Sequence, residues 1–515
     1  AKFTFNPLPS AFFDNVYSED ARREDQAYFG VPDFLLPNTG EYITDELDLL
    51  CEADDRSICL KLYADDANKE PESYPLGDEA ILWHQLDRSF LVPRAVVSLT
   101  LVSPDALNSI DDYASFVLFC NAIAEIPNNY LSSLIASGFQ FSIECTRAKL
   151  QILIEGFSDK MDEAISTLAG SFVNLRLNHN DFMSLQKFAA SQALYQNTLE
   201  PSQRSQTLLK MLYEKNYMGD SLFQALARVE YGRWIHKYYD SKKPFYYEGL
   251  SIGNIYLETA TDYLFELVDA LNLEFVPAES IPEDKAIQLT DTYAVYREWN
   301  SQVDSNENGI LNYYQLGPRT PEVFAIVGLL QSTFRNEAFD ELRNIKQLGY
   351  IVQGAATAFP NVVGLVVKIQ GPVKDPNDLD REIELFAQHF YEYLEKLTDK
   401  DFADMQDAYL STLEAPPATL LDKAEFYLTA LSKASPDFKM QERVAGIVPD
   451  ITKQDVLSLF KTAMIDAPNK LSIQIWSATG SKIPLKGLAK GDTFAKKEES
   501  VVVDSIDDFV KMFKQ

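Results

Sequence analysis

The chain has 515 residues, 46% hydrophobic and 24% charged, an ordinary composition for a soluble protein and too long for one core. Its 77 acidic against 46 basic residues leave a net charge of −31, which argues against a nucleic-acid partner, because phosphate binding needs clustered Lys and Arg. No run of 18 apolar residues exists, so no membrane-spanning helix is expected.

The first 77 residues, rich in Asp, Glu, Pro and Tyr, read as an extended lead-in. Regular patterning begins near Leu82 and then runs the same plan twice. The first copy has Trp83, the strand "RAVVSLTLVSP" (Arg94–Pro104), a helical block to Ser137 and the hairpin "GFQFSIECTRAKLQILIEGF" (Gly138–Phe157). The second has Trp299, "GILNYYQLGP" (Gly309–Pro318), a helical block to Leu348 and the hairpin Gly349–Pro372. Long helices follow each hairpin. In one of them Leu379, Ile383, Phe386, Phe390, Leu394 and Leu397 form an apolar face at helical spacing. Each copy closes on a strand, "PFYYEGLSIGNI" and "KLSIQIWSA". This order implies an α+β fold of two repeated domains, each a mainly antiparallel sheet with helices on one side. The expected boundaries are 78–275 and 276–515, joined by "VPAESIPEDKA".

Cys51, Cys59, Cys120 and Cys145 show no C-x-x-C spacing and read as reduced thiols. With no signal-peptide pattern and no N-x-S/T sequon, they imply a cytoplasmic location. The sequence does not open on Met, which reads as a processed or excised product.

Chemistry-bearing motifs are few. His84, His179, His236 and His389 lie far apart and complete no H-x-x-x-H, H-E-x-x-H or H-x-x-E-H, so no zinc site is expected from this chain alone. "DSNENG" (Asp304–Gly309) imitates a calcium loop, but Gln315 stands where the bidentate Glu belongs. An Asn-Gly turn between strands is expected instead. Phosphate-binding glycine loops and the G-x-S-x-G elbow are absent.

That leaves "FDELRNIKQLGYIVQG" (Phe339–Gly354). Gly349 suits the left-handed residue that stops a helix, and Arg343 and Tyr350 lie two helical turns apart. A guanidinium can grip a peptide carbonyl, and a phenol can donate to a developing oxyanion. The ordinary reading is that Arg343 caps the helix end and Tyr350 packs in the sheet. Sliding the first copy onto the second sets Ser132 on Arg343, Gly138 on Gly349 and Phe139 on Tyr350. The glycine recurs, whereas the two donors do not.

At these residues the chain resembles the C-terminal half of the insulysin/pitrilysin family of zinc metallopeptidases, whose segment runs close to F-x-x-L-R-x-x-x-Q-L-G-Y-x-V. "EDQAYFGV", "LPNTGEYI", "LWHQLDRSFLVPRAVVSLTLVSP" and the closing "VVVDSIDDFVKMF" extend the likeness over nearly the whole chain. The resemblance implies a clamshell of two halves around a peptide-degrading chamber. Zinc would sit on H-x-x-E-H in an N-terminal half or subunit, and this chain would hold the third and fourth domains. It also implies that Arg343 and Tyr350 reach the active site and that Phe339 lines the substrate pocket. The family's basic polyanion-binding segment corresponds to "LEAPPATLLDK" (Leu413–Lys423), in which the lysines are largely replaced. Family members without catalysis also exist, so a peptide-binding or assembly subunit is the alternative.

Overall fold

The computed structural model describes residues 42–44, 46–50, 70–76, 80–125, 128–175, 177–213, 215, 217–281, 285–289, 293–431, 436–466, 469–479 and 501–503. Most of the lead-in, Cys51 and Cys59, and all but Val501–Val503 of the closing tail lie outside them.

The first sheet contains β1 (Glu72–Leu76), β2 (Ala80–Leu86), β3 (Arg94–Val102), β4 (Gln140–Thr146), β5 (Lys149–Phe157), β6 (Lys243–Gly253) and β7 (Leu273–Phe275). The second contains β8 (Tyr293–Trp299), β9 (Asn308–Pro318), β10 (Ile351–Ala358), β11 (Val362–Gly371), β12 (Lys470–Trp476) and β13 (Val501–Val503). Both share one strand order, β2-β6-β3-β5-β4 and β8-β12-β9-β11-β10. Within each set of five only the first pair is parallel, so each sheet is mainly antiparallel, as the repeat implies. The register refines that repeat. Trp83 pairs with Leu250 and Leu250 with Ser98, while Tyr296 pairs with Ile473 and Ile473 with Leu311. Tyr296, not Trp299, therefore takes the place of Trp83. Asn308 and Gly309 open β9 and are not the turn, which the preceding residues supply.

Helices follow the same logic. In the first domain they are α1 (Ile110–Ala124), α2 (Asn128–Ala136), α3 (Met161–Asn174), α4 (His179–Tyr195), α5 (Pro201–Leu208), α6 (Gly219–Arg228), α7 (Tyr231–Ile235) and α8 (Leu257–Ala270). In the second they are α9 (Pro321–Ala338), α10 (Pro376–Lys396), α11 (Asp399–Leu413), α12 (Leu420–Leu431), α13 (Met440–Ile447) and α14 (Lys453–Phe460). Asp375 caps α10 through the N–H groups of Asn377 and Asp378, with Pro376 at the first position. The apolar face of α10 is buried from Leu379 to Leu394. One core lies between the first sheet and α1, α3, α4 and α8. Its counterpart lies between the second sheet and α9, α10 and α14.

The opposite sheet faces are covered by exchange. Leu420, Ala424, Tyr427, Leu428 and Leu431 of α12 pack on Val96, Leu153, Leu250 and Ile252 of the first sheet. In return Leu208, at the end of α5, and Leu209, Met211 and Leu212 just beyond it pack with Leu311, Tyr313, Leu471 and Ile473 of the second. Each donated helix carries a cation to an acid of its host. Lys423 pairs with Asp87, both buried, and Arg204 grips Glu298 through two bonds of 2.6 and 3.0 Å. Lys423, the sole lysine of "LEAPPATLLDK", is thus committed to Asp87 rather than presented to a polyanion.

Two features depart from expectation or carry a test. Cys120 on α1 and Cys145 on β4 form a disulfide, with Cα atoms 6.0 Å apart, so this pair is not reduced. The helix lies across the edge strand at a separation that a bridge can span. Glu248 is buried on the face of β6 opposite the helices, accepting from Trp83 Nε1 at 3.2 Å and Tyr246 Oη at 3.3 Å. Desolvation raises its pKa from 4.5 to about 7, against the opposing pull of those bonds and of Lys149. The folded state therefore holds a proton that the unfolded state releases above 4.5, and stability falls as pH rises across that window. Glu248→Gln is expected to match the wild type near pH 4.5 and to exceed it above pH 7 by on the order of 3 kcal/mol. Urea midpoints at pH 4.5 and 8 measure this, and parallel curves would refute it.

Candidate active site

Thr320 caps α9 and Pro321 opens it. The helix ends at Ala338 and widens into a π-helical turn, Phe339–Ile345, a form common at functional sites. Buried Leu342 anchors the turn, and the Leu348 N–H reaches back to the Leu342 carbonyl at 3.0 Å. The left-handed residue is Gln347, at φ 52°, and not Gly349 as the sequence implied. Gly349 is needed for closeness, because a Cβ there would stand 2.2 Å from the Gln370 carbonyl oxygen. In the first copy Gly138, at φ 94°, does provide the left-handed turn.

The three candidate residues come together. Arg343 Nη1 donates to the carbonyls of Gly349, at 3.1 Å, and Tyr350. Its guanidinium carbon lies 5.6 Å from the centre of the Phe339 ring. Phe339 and Tyr350 are 43% and 51% exposed, large apolar rings presented to solvent. Arg343 thus holds the main chain at the helix end, which is the structural role. Its Nε and Nη2 make no hydrogen bond to the described residues.

The first copy also holds its glycine carbonyl with an arginine, though a different one. Arg94 Nη2 donates to the Gly138 carbonyl at 2.9 Å and to Glu155 at 2.7 Å. Pairing of Gln140 with Glu155 and of Ile351 with Gln370 sets Gln370 on Glu155. Continuing β9 back one residue from the Asn308–Gly371 pair sets Glu307 on Arg94. The second copy has therefore lost this arginine–glutamate pair and moved its carbonyl-holding arginine to the helix. It has also exposed a phenol where the first copy buries Phe139 at 2%.

That phenol sits among polar groups the sequence did not reveal. Gln370 Nε2 donates to Tyr350 Oη at 2.6 Å and to Glu200 Oε2 at 3.2 Å. Desolvation, then the charge of Glu307, push the Tyr350 pKa up, partly offset by the Gln370 bond. The hydroxyl stays protonated at neutral pH and is a donor. Glu307 and Gln370 lie in stretches read as a turn and a strand. Glu200 comes from the other domain, and no local signal links it to Tyr350.

Among the described residues no group of three His, Cys, Asp or Glu could hold a metal ion. His84 is buried, which lowers its pKa to about 4, and His389 contacts Glu341 at 3.0 Å. No described helix is long and apolar enough to cross a membrane.

Two repeated sheet-and-helix domains, with a half-buried arginine and an exposed tyrosine at one helix end, define a pitrilysin-type fold. Residues 2–223 match the model of the middle or third domain of peptidase M16, and residues 329–428 match that of the PQQ synthase PqqF-like C-terminal lobe domain 4. The chain belongs to the M16, insulinase-like peptidase family. It is 21% identical to nardilysin of Mus musculus over 86% of this chain and 38% of that protein. It is 22% identical to insulin-degrading enzyme of Homo sapiens over 88% and 44%. The chain thus spans less than half the length of these curated relatives. The crystal structure of pitrilysin superposes with TM-score 0.78 at 16% identity, over 96% of this chain and half of that one. A structure titled peptidase M16 inactive domain, from Pseudomonas fluorescens, gives 0.57 at 13% identity over 79% of this chain and 98% of that one.

Proposed function

We propose that the chain is the C-terminal half, or a separate C-terminal subunit, of a zinc metalloendopeptidase, with residues 78–275 and 276–515 as its third and fourth domains. The carrying observation is the protonated, exposed Tyr350 phenol where the first repeat buries a phenylalanine. In this reading the partner half brings H-x-x-E-H, and the zinc it binds supplies a polarised carbonyl and an activated water. Tyr350 donates to the developing oxyanion. Arg343 keeps Tyr350 in place through Nη1 and offers its remaining N–H groups to a substrate carbonyl. Phe339 supplies an apolar wall for a peptide side chain.

Mixing the chain with a half bearing H-x-x-E-H and assaying peptide cleavage tests this, with activity expected only in the mixture. The second reading, a non-catalytic peptide-binding or assembly subunit, draws on the likeness to the domain titled inactive. It requires a mixture that binds peptide and leaves it whole.

Location turns on the bridge between α1 and β4. A persistent Cys120–Cys145 disulfide belongs to an oxidising compartment, and a cytoplasmic protein would keep both as thiols. Thiol titration of native protein is expected to find the pair blocked. Reducing this bridge, which spans 25 residues, is expected to lower stability by roughly 3 kcal/mol. Thiol labelling of Cys120 and Cys145 themselves, beyond any at Cys51 and Cys59, and an unchanged melting temperature would restore the cytoplasmic reading.

A further inference from the structure

Gln370 is fully buried near the end of β11, and every polar atom of its side chain is assigned. Its Oε1 accepts from the main-chain N–H of Ser202 at 2.8 Å. A main-chain N–H can only donate, so this contact fixes which end of the amide is oxygen. Nε2 then carries both protons, one to Tyr350 Oη and one to Glu200 Oε2. Glu200 is itself held by Gln302 Nε2 at 2.9 Å.

We infer that Gln370 is a positioning residue for Tyr350, fixing its hydroxyl as an acceptor on the sheet side so that its own proton points away and is available for donation. The inference rests on the reading that Tyr350 acts in the site. The end of Gln370 that faces Tyr350 is the amide nitrogen, which donates and cannot accept. The phenolic proton must go elsewhere, to the Glu307 carboxylate at rest or to a bound acceptor. A hydroxyl that accepts one hydrogen bond donates a stronger one, since the chain of bonds polarises it.

The first copy contains no such device. Glu155, the register equivalent of Gln370, is taken up by Arg94. The orienting N–H also comes from another domain, because Ser202 lies in the first turn of α5, the helix donated to the second sheet. The aim of the hydroxyl thus depends on that helix being docked.

The test follows Tyr350 directly in the full chain, by the Cζ resonance of 13C-labelled tyrosine during a pH titration, assigned by its loss in Tyr350→Phe. Gln370→Met keeps the volume and removes the donor. It is expected to shift the Tyr350 titration upward, whereas Glu307→Gln should shift it downward. Gln353→Leu, on the exposed side of β10, should leave it alone. In the assembled enzyme Gln370→Met is expected to lower kcat about tenfold with KM within twofold, consistent with a loss confined to the transition state. Adding Tyr350→Phe to it should cost less than Tyr350→Phe alone. A Tyr350 titration unmoved by both Gln370→Met and Glu307→Gln overturns the inference. Should Gln370→Met fail to fold, Glu307→Gln decides alone, and an unchanged titration rejects it. Shifted titrations with an active Tyr350→Phe enzyme would instead retain the positioning and reject the catalytic reading.

Discussion

In an assembled, active enzyme, Tyr350→Phe is expected to lower kcat by about 10²- to 10³-fold while KM changes little. That is the typical effect of removing one preorganised oxyanion donor. The ring, its exposure and its packing survive the change, while the hydroxyl is lost and with it the bond from Gln370 Nε2. Arg343→Ala is expected to lose a comparable amount by a less direct route. It frees the carbonyls of Gly349 and Tyr350 that Nη1 holds, and the phenol drifts with them. Arg343→Lys should recover only part, because a compact ammonium does not reproduce the planar fork. Peptide cleavage within twofold of wild type for both Tyr350→Phe and Arg343→Ala would remove these residues from the site. The first copy sharpens the comparison. Its Arg94 also holds a glycine carbonyl, so an arginine in that role is part of the shared architecture. The phenol is the larger departure, and Tyr350→Phe is the cleaner experiment.

Lys423→Met is expected to destabilise the chain by about 3–5 kcal/mol, the usual cost of leaving a buried carboxylate without its cation. Asp87 keeps hydrogen bonds from Ser89 N and Oγ, but these do not neutralise it. The double change Lys423→Met, Asp87→Leu should recover much of the loss, since a buried pair can be replaced by apolar groups at little net cost. Denaturant midpoints of the three variants and the wild type form the cycle. A loss under 1 kcal/mol for Lys423→Met would show the pair to be solvated in solution. Because α12 sits on the first sheet and α5 on the second, unfolding is expected as one transition and not two.

Much of this fold could be read from the sequence because its signals are periodic and local. The hairpins alternate, the α10 face recurs at helical spacing, and the repeat declares itself through matching strands. The glycine at 349 was found for a wrong reason, since a sequence records that a side chain is absent but not whether conformation or contact forbids one. The disulfide was missed because Cys120 and Cys145 are paired only once α1 crosses the β4 edge. Phe339, Arg343 and Tyr350 were visible as one contiguous motif. Gln370, Glu307, Glu200 and Ser202 were not, since three separate segments from two domains bring them to Tyr350, and spacing along the chain carries no trace of that meeting.

The reciprocal helices have a mechanical consequence. A joint between two blocks needs a surface on which they can slide or a strip about which they can bend. Here each block has a limb pinned under the other, with a cation at each pin, and relative rotation would have to pull both limbs out at once. The pair therefore has no internal joint. If the chain closes on a catalytic partner, as proposed, the swing occurs at the seam with that partner. Tyr350 would then arrive as a fixed point on a rigid arm, its aim already set before the chamber shuts.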